Sequence, residues 1–184
     1  TDQTAQKADA PLYIRGALAR GSAATFLGVA TRAMGSRREA AAPLLEYRAF
    51  AVGDSCLFHL REGQPTVVFP LQRPDEFDTH PALVSTREEP LGSLAGVLRL
   101  TSGACGPDDV LLLMTDALAQ WALESAAESG AVWEFLEHAR PDEFTAEVRE
   151  LRRSRAMRED DVSLVRCRAV STVRPADATR GRPS

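Results

Sequence analysis

The stretch DDVLLLMTDALAQW, residues 108–121, constrains the fold more than any other part of the chain. Val110 to Met114 are apolar without interruption. Successive strand side chains point to opposite faces, so an all-apolar strand must be covered on both sides. The pattern then changes period at once. Residues 116–130 read as a helix with Leu118, Trp121, Ala122 and Ser125 on one face.

A second apolar stretch, LLEYRAFAVGDSCLFHLREG (44–63), reads as a long strand or as a strand kinked at Gly53. REGQ turns the chain and PTVVFPL (65–71) returns it as a hairpin. Upstream, PLYIRGALAR (11–20) ends a helix and residues 21–34 form a strand, with a loop at 35–43. Residues 72–108 hold four prolines, with a short strand near 97–101. A short helix, AVWEFLEHA, follows the helix at 116–130. Pro141 then opens another at 141–157, with Phe144, Val148 and Leu151 as its stripe. DDVSLVRCRAV (160–170) closes the chain as a strand. Strands first, helices next and a closing strand favour an α+β sandwich over alternating βαβ units. One domain over 11–170 is expected, with 1–10 and 171–184 as flexible tails.

The composition narrows the function classes. The 184 residues are 44% hydrophobic and 26% charged, and the net charge of −4 gives no reason to expect nucleic acid or an anionic membrane as partner. No apolar run reaches the ~20 residues of a membrane span. The three cysteines, Cys56, Cys105 and Cys167, are widely spaced and form no CxxC, so reduced thiols and a cytoplasmic location are expected. Among the 22 basic residues Lys7 is the single lysine, a bias of GC-rich coding that agrees with a bacterial source.

Acids stand at the ends of three apolar strands: Asp54 within AVGDSCLF, Asp116 after VLLLMT, and Asp160 with Asp161 before VSLV. On a continuous strand Asp54 would share a face with Phe50, Val52, Cys56 and Phe58, where a carboxylate needs a partner. Taken singly, Asp116 reads as a helix N-cap, Asp160–Asp161 as a turn, and Asp54 as an acid that a bulge turns to solvent. Taken together, strand ends in one sheet system can converge. Carboxylates brought that close call for a hard divalent cation such as Mg²⁺ or Mn²⁺. On this reading Asp54, Asp116 and Asp160 gather at one rim and Asp161 points elsewhere.

AVGDSCLFHLREG, DDVLLLMTDALAQW and REDDVSLV, in that order, resemble successive motifs of the PPM-type (type 2C) metal-dependent protein phosphatases. GSAATFLGV is similar to the family's Gly-Ser/Thr strand, and FPLQRPDEFDTHPALVST to its bacterial branch. The resemblance covers about residues 16–168. It implies part of an α-β-β-α four-layer sandwich with antiparallel sheets. Asp116 and Asp160 fall on metal-ligating aspartates, and Asp54 on the GDS aspartate near a weaker metal site. Ala117 stands where the family has the Gly of Thr-Asp-Gly. The implied activity is hydrolysis of phosphoserine or phosphothreonine proteins by water activated on Mg²⁺ or Mn²⁺, with no protein nucleophile. A cognate kinase is a further candidate partner. Nothing before Gly21 matches the family's N-terminal Asp-Gly motif. That places the missing segment outside this chain, or else makes the protein a degenerate member. The alternative function is therefore a non-catalytic pseudophosphatase or phosphoprotein-binding regulatory module.

Overall fold

The structure, a computed structural model, describes residues 22–34, 45–77, 80–86 and 95–170. The helix end expected at 11–20, the loop at 35–43 and the tails at 1–10 and 171–184 lie outside the described residues.

Two antiparallel sheets dominate. The first has the order β2-β3-β7, formed by Phe26–Ala33, Leu45–Val52 and Arg99–Cys105. The second has the order β5-β4-β8-β9, formed by Gln64–Phe69, Cys56–Arg61, Val110–Met114 and Leu164–Arg168. A two-stranded ribbon pairs β1 (Ala23–Ala24) with β6 (Val84–Ser85). Three helices follow β8: α1 (Asp116–Glu128), α2 (Ala131–His138) and α3 (Pro141–Arg153).

The alternation of side chains explains the layering. Tyr47, Ala49 and Ala51 of β3 meet Leu57, Phe69 and Leu111 between the two sheets. Cys56, Phe58 and Leu60 of β4, with Val110, Leu112 and Met114 of β8, point the other way. There they pack on Leu118, Ala119 and Ala122 of α1, Trp133 and Leu136 of α2, and Val148 of α3. The uninterrupted apolar run of β8 thus feeds two cores at once. The described residues form three layers, sheet on sheet on helices, of an α+β sandwich. The far face of the first sheet carries a stacked Phe26–Phe50 pair and Leu100, which is 72% exposed.

The long or kinked strand expected over 44–63 is two strands in two different sheets. Gly53 makes the break at φ +98°, a left-handed backbone, and a Cβ there would lie 2.5 Å from Thr25 Cγ2 and 2.8 Å from the Ala82 carbonyl. Asp54 therefore sits in the crossover and not within a strand. The shared face with Phe50, Cys56 and Phe58 does not exist, because Phe50 faces out of the first sheet while Cys56 and Phe58 face the helices. At the other end of β4, Glu62 and Gly63, both at positive φ, close the hairpin to β5. The closing strand begins at Leu164, later than expected.

Helix ends follow ordinary rules. Pro141 opens α3 with Asp142 and Glu143 in its first turn and Arg152 and Arg153 in its last, which matches the helix dipole. Arg166 of β9 donates to the carbonyls of Leu136 (2.6 Å) and Ala139 (2.7 Å) and so ties the end of α2 to the sheet.

A polar network is buried between the sheets. Asp109 accepts from His59 Nε2 (2.9 Å), from Arg61 (2.8 Å) and from the Gly106 N–H (2.8 Å). Burial alone would raise its pKa, but Arg61, Gly106 and His59 together hold it at about 2. The carboxylate is therefore ionised, Nε2 of His59 carries the proton it donates, and Nδ1 lies 3.3 Å from the Tyr47 hydroxyl. Because the folded pKa is depressed, the stability is present above the ordinary carboxylate range and is lost as pH falls toward 2. Asp109→Asn should lower stability at pH 7 by about 2 kcal/mol. The difference from wild type should close as urea unfolding is repeated from about pH 4 downward.

Candidate metal centre

The register of the second sheet decides which acids can meet. Cys56 pairs with Met114, and Met114 pairs with Leu164. Asp54 lies two residues before Cys56, Asp116 two residues after Met114, and Asp160 four residues before Leu164. All three project past the same end of the sheet. Thr115 fastens this rim. Its hydroxyl donates to the Asp161 carbonyl (2.9 Å) and accepts from the Ser163 N–H (3.0 Å), and its N–H donates to the Ser163 carbonyl (3.3 Å). The segment after Asp160 is thereby held against the start of α1.

Asp116 is the first residue of α1, and Thr115, not Asp116, holds the N-cap position. The Asp116 carboxylate instead pairs with the Arg158 guanidinium, which also stands 4.0 Å from the Asp160 carboxylate. Arg152 donates to the main-chain carbonyl of Asp160. Asp160 itself accepts the Asp161 N–H (2.7 Å). Asp161 is exposed and joins the rim through its main chain.

Asp54 is 6% exposed and lines a cavity together with Gly53, Leu71, Glu76, Ala82 and Arg99. Burial raises its carboxyl pKa, and the neighbouring carboxylates of Asp116 and Asp160 add to the rise, while Arg158 opposes it. The three acids therefore share one electrostatic neighbourhood, with a cation from the chain among them. Cys56 adjoins it. Its thiol donates to the Asp54 carbonyl at 3.4 Å, and burial, with Asp54, Asp116 and Glu76 nearby, pushes its pKa up to about 12. That keeps it a neutral thiol and a poor nucleophile.

Hard oxygen donors of this kind suit Mg²⁺ or Mn²⁺. Among the described residues, the one trio of ligand atoms within 4.8 Å of one another is elsewhere: His59, Cys105 and Asp109. Its donors are already engaged. The Asp109 oxygens take His59, Arg61 and Gly106, and burial raises the Cys105 thiol to about 11. Cys105 would have to lose its proton and Arg61 its partner before a metal entered.

Arg158 was not singled out in the sequence. Its signal was its place two residues before Asp160, in REDD. An arginine in a polar segment, followed by acids, ordinarily reads as a solvated turn.

No family model matches the chain, and no curated protein matches it. Similar solved structures are the phosphatase domain of the cell fate determinant SpoIIE from Bacillus subtilis, PppA, described as a key regulatory component of T6SS in Pseudomonas aeruginosa, and the photosystem II phosphatase PBCP. The SpoIIE domain is 20% identical at a TM-score of 0.41, over 76% of this chain and 56% of that one. PppA is 20% identical at 0.37, over 71% and 55%. PBCP is 20% identical at 0.33, over 48% and 36%. The chain thus spans less than two thirds of the length of each.

The raised pKa of Asp54 has a consequence for the metal-free protein. The folded state holds this proton more tightly than the unfolded state, so ionising Asp54 lowers stability as pH rises through the carboxylate range. In a chelator at pH 7, Asp54→Asn should raise the thermal midpoint. The gain should vanish once the pH falls below the range in which an ordinary aspartate ionises, as scanning calorimetry can show.

Proposed function

We propose that the chain is the metal-binding portion of a PPM-type serine/threonine phosphoprotein phosphatase, in which Asp54, Asp116 and Asp160 hold Mg²⁺ or Mn²⁺. The observation that carries this reading is the convergence of three strand ends on one rim, where Asp116 and Asp160 already share a cation. The quoted sequence motifs support the family. Asp116 and Asp160 serve the principal metals, and Asp54 an additional, weaker site.

The bound metal would supply an activated water and neutralise phosphoryl charge. The chain's own residues do the positioning. Thr115 sets the distance between the α1 start and the Asp160 segment. Gly53 turns Asp54 into the crossover. Arg152 fixes the Asp160 main chain. Substrates on this reading are phosphoserine or phosphothreonine proteins. A cytoplasmic location is part of the proposal and rests on the three unpaired cysteines. Among the described residues no helix is long and apolar enough to cross a membrane.

The second reading is a phosphoprotein-binding module without turnover. It is favoured by the ion pair in which Arg158 already engages the Asp116 carboxylate. Manganese-dependent release of phosphate from a phosphothreonine peptide separates the two. For the enzyme, Asp116→Asn or Asp160→Asn should reduce both Mn²⁺ affinity and phosphate release by a factor of about 100 or more, the loss expected when a metal-ligating carboxylate is removed. Asp161→Asn should leave both near wild type, and Asp54→Asn should fall between. Equal Mn²⁺ affinity across the four variants in a calorimetric titration would reduce the acids to caps and turns.

A further inference from the structure

The rim acids do not stand alone. Arg158 pairs with the Asp116 carboxylate, lies 4.0 Å from that of Asp160, and opposes the raised pKa of Asp54. Its side chain is 36% exposed, so the guanidinium is half-withdrawn from water beside the carboxylates of Asp116 and Asp160. A guanidinium is planar and always charged, and it forks onto carboxylates. It is the chain's own answer to the repulsion at this rim.

We propose that Arg158 is an internal counter-ion that stands in for the divalent metal, so that metal binding is an exchange of one cation for another. This rests on the metal reading of Asp54, Asp116 and Asp160 given above. Three aspartates with one arginine leave a net charge of −2, whereas three with a divalent ion leave −1, so the metal is the better neutraliser. The two cations repel each other at contact distance, and more strongly the less water separates them. Both therefore cannot keep their best contact with Asp116.

The fold gives the displaced side chain somewhere to go. Arg158 also lines a groove between α1 and the segment after α3, shared with Glu124 and Glu159 and with three further arginines, Arg152, Arg153 and Arg155. Glu124 and Glu159 offer carboxylates on that side. Neither has an ion-pair partner among the described residues. Swinging about its own side-chain torsions, Arg158 trades Asp116 for these acids while the main chain stays in place. Arg152 holds the Asp160 carbonyl throughout.

The exchange makes metal affinity weaker than the three acids alone would give. Arg158→Gln keeps a polar side chain of similar reach and removes the charge. In calorimetric titration with Mn²⁺ alone, it should bind about tenfold or more tighter than wild type, a difference of ~1.4 kcal/mol. In chelator, the same variant should melt at a lower temperature, because the acids lose their counter-ion. Arg158→Lys keeps the charge and should bind Mn²⁺ close to wild type.

A second measurement does not need the glutamine variant to fold. With ¹⁵N-labelled arginine, the Arg158 Nε–H resonance, assigned by its loss in Arg158→Lys, should shift when diamagnetic Mg²⁺ is added. Asp116→Asn serves as the control for the metal reading. If wild type binds and Asp116→Asn does not, while Arg158→Gln binds no tighter or the Arg158 resonance stays still, the exchange is overturned and the metal site stands. If neither wild type nor Arg158→Gln binds Mn²⁺ at millimolar concentration, both fail together.

Discussion

The pairing of β4 with β8 is the contact on which the other parts depend. Each strand buries one row of side chains toward the first sheet and the opposite row toward the helices. Neither strand can slip by one residue without turning both rows over, so the two cores lock the register between them. That register sets Cys56 against Met114 and leaves Asp54 and Asp116 beyond the same end. At the other end it brings His59 and Arg61 to Asp109. One strand pair thus has a carboxylate neighbourhood at each end. Their electrostatics are opposite: Asp109 is held below the usual carboxylate range by its donors, and Asp54 is raised by burial and like charges.

Much of this was legible in the chain. The apolar run of β8 announced a strand covered on both faces, and the 3.6-residue stripes of α1 and α3 announced the helical layer. The strand-end acids were visible because an Asp next to an apolar run is conspicuous. Less visible were features that need the third dimension. Gly53 reads as a kink within one strand, and what makes it a crossover is the crowding by Thr25 and Ala82, which the local sequence does not show. Asp116 reads as a cap by position, yet its carboxylate is drawn away by an arginine 42 residues later. The Asp109 network was missed because His59 and Asp109 are 50 residues apart and each looks ordinary alone.

The two acid groups also differ in how they are neutralised. Asp109 has a full set of donors, and its surroundings hold it in a single arrangement, as a buried polar group between two sheets requires. At the rim, Asp116 and Asp160 share one arginine, Arg158. Fixed donors rigidify a core, whereas a mobile cation leaves the carboxylates free to accept another partner. The same side-chain chemistry thus serves a structural end at one rim and an open one at the other.

The position of β9 in the sheet bears on how this rim behaves in time. Asp54 and Asp116 flank the central strands, but Asp160 and Arg158 lie on the segment that feeds β9, an edge strand with Val165 53% exposed. Edge strands open with less free energy than the strands they cover. β9 is held by its ladder to β8, by the Arg166 bonds to α2 and by the Thr115 clasp. Local peeling of that one strand would carry an acid and its arginine away together while the paired centre stayed folded. Amide hydrogens of 164–168 would then exchange faster than those of 110–114, and the rim would be assembled and dismantled on the timescale of fraying, not of global unfolding.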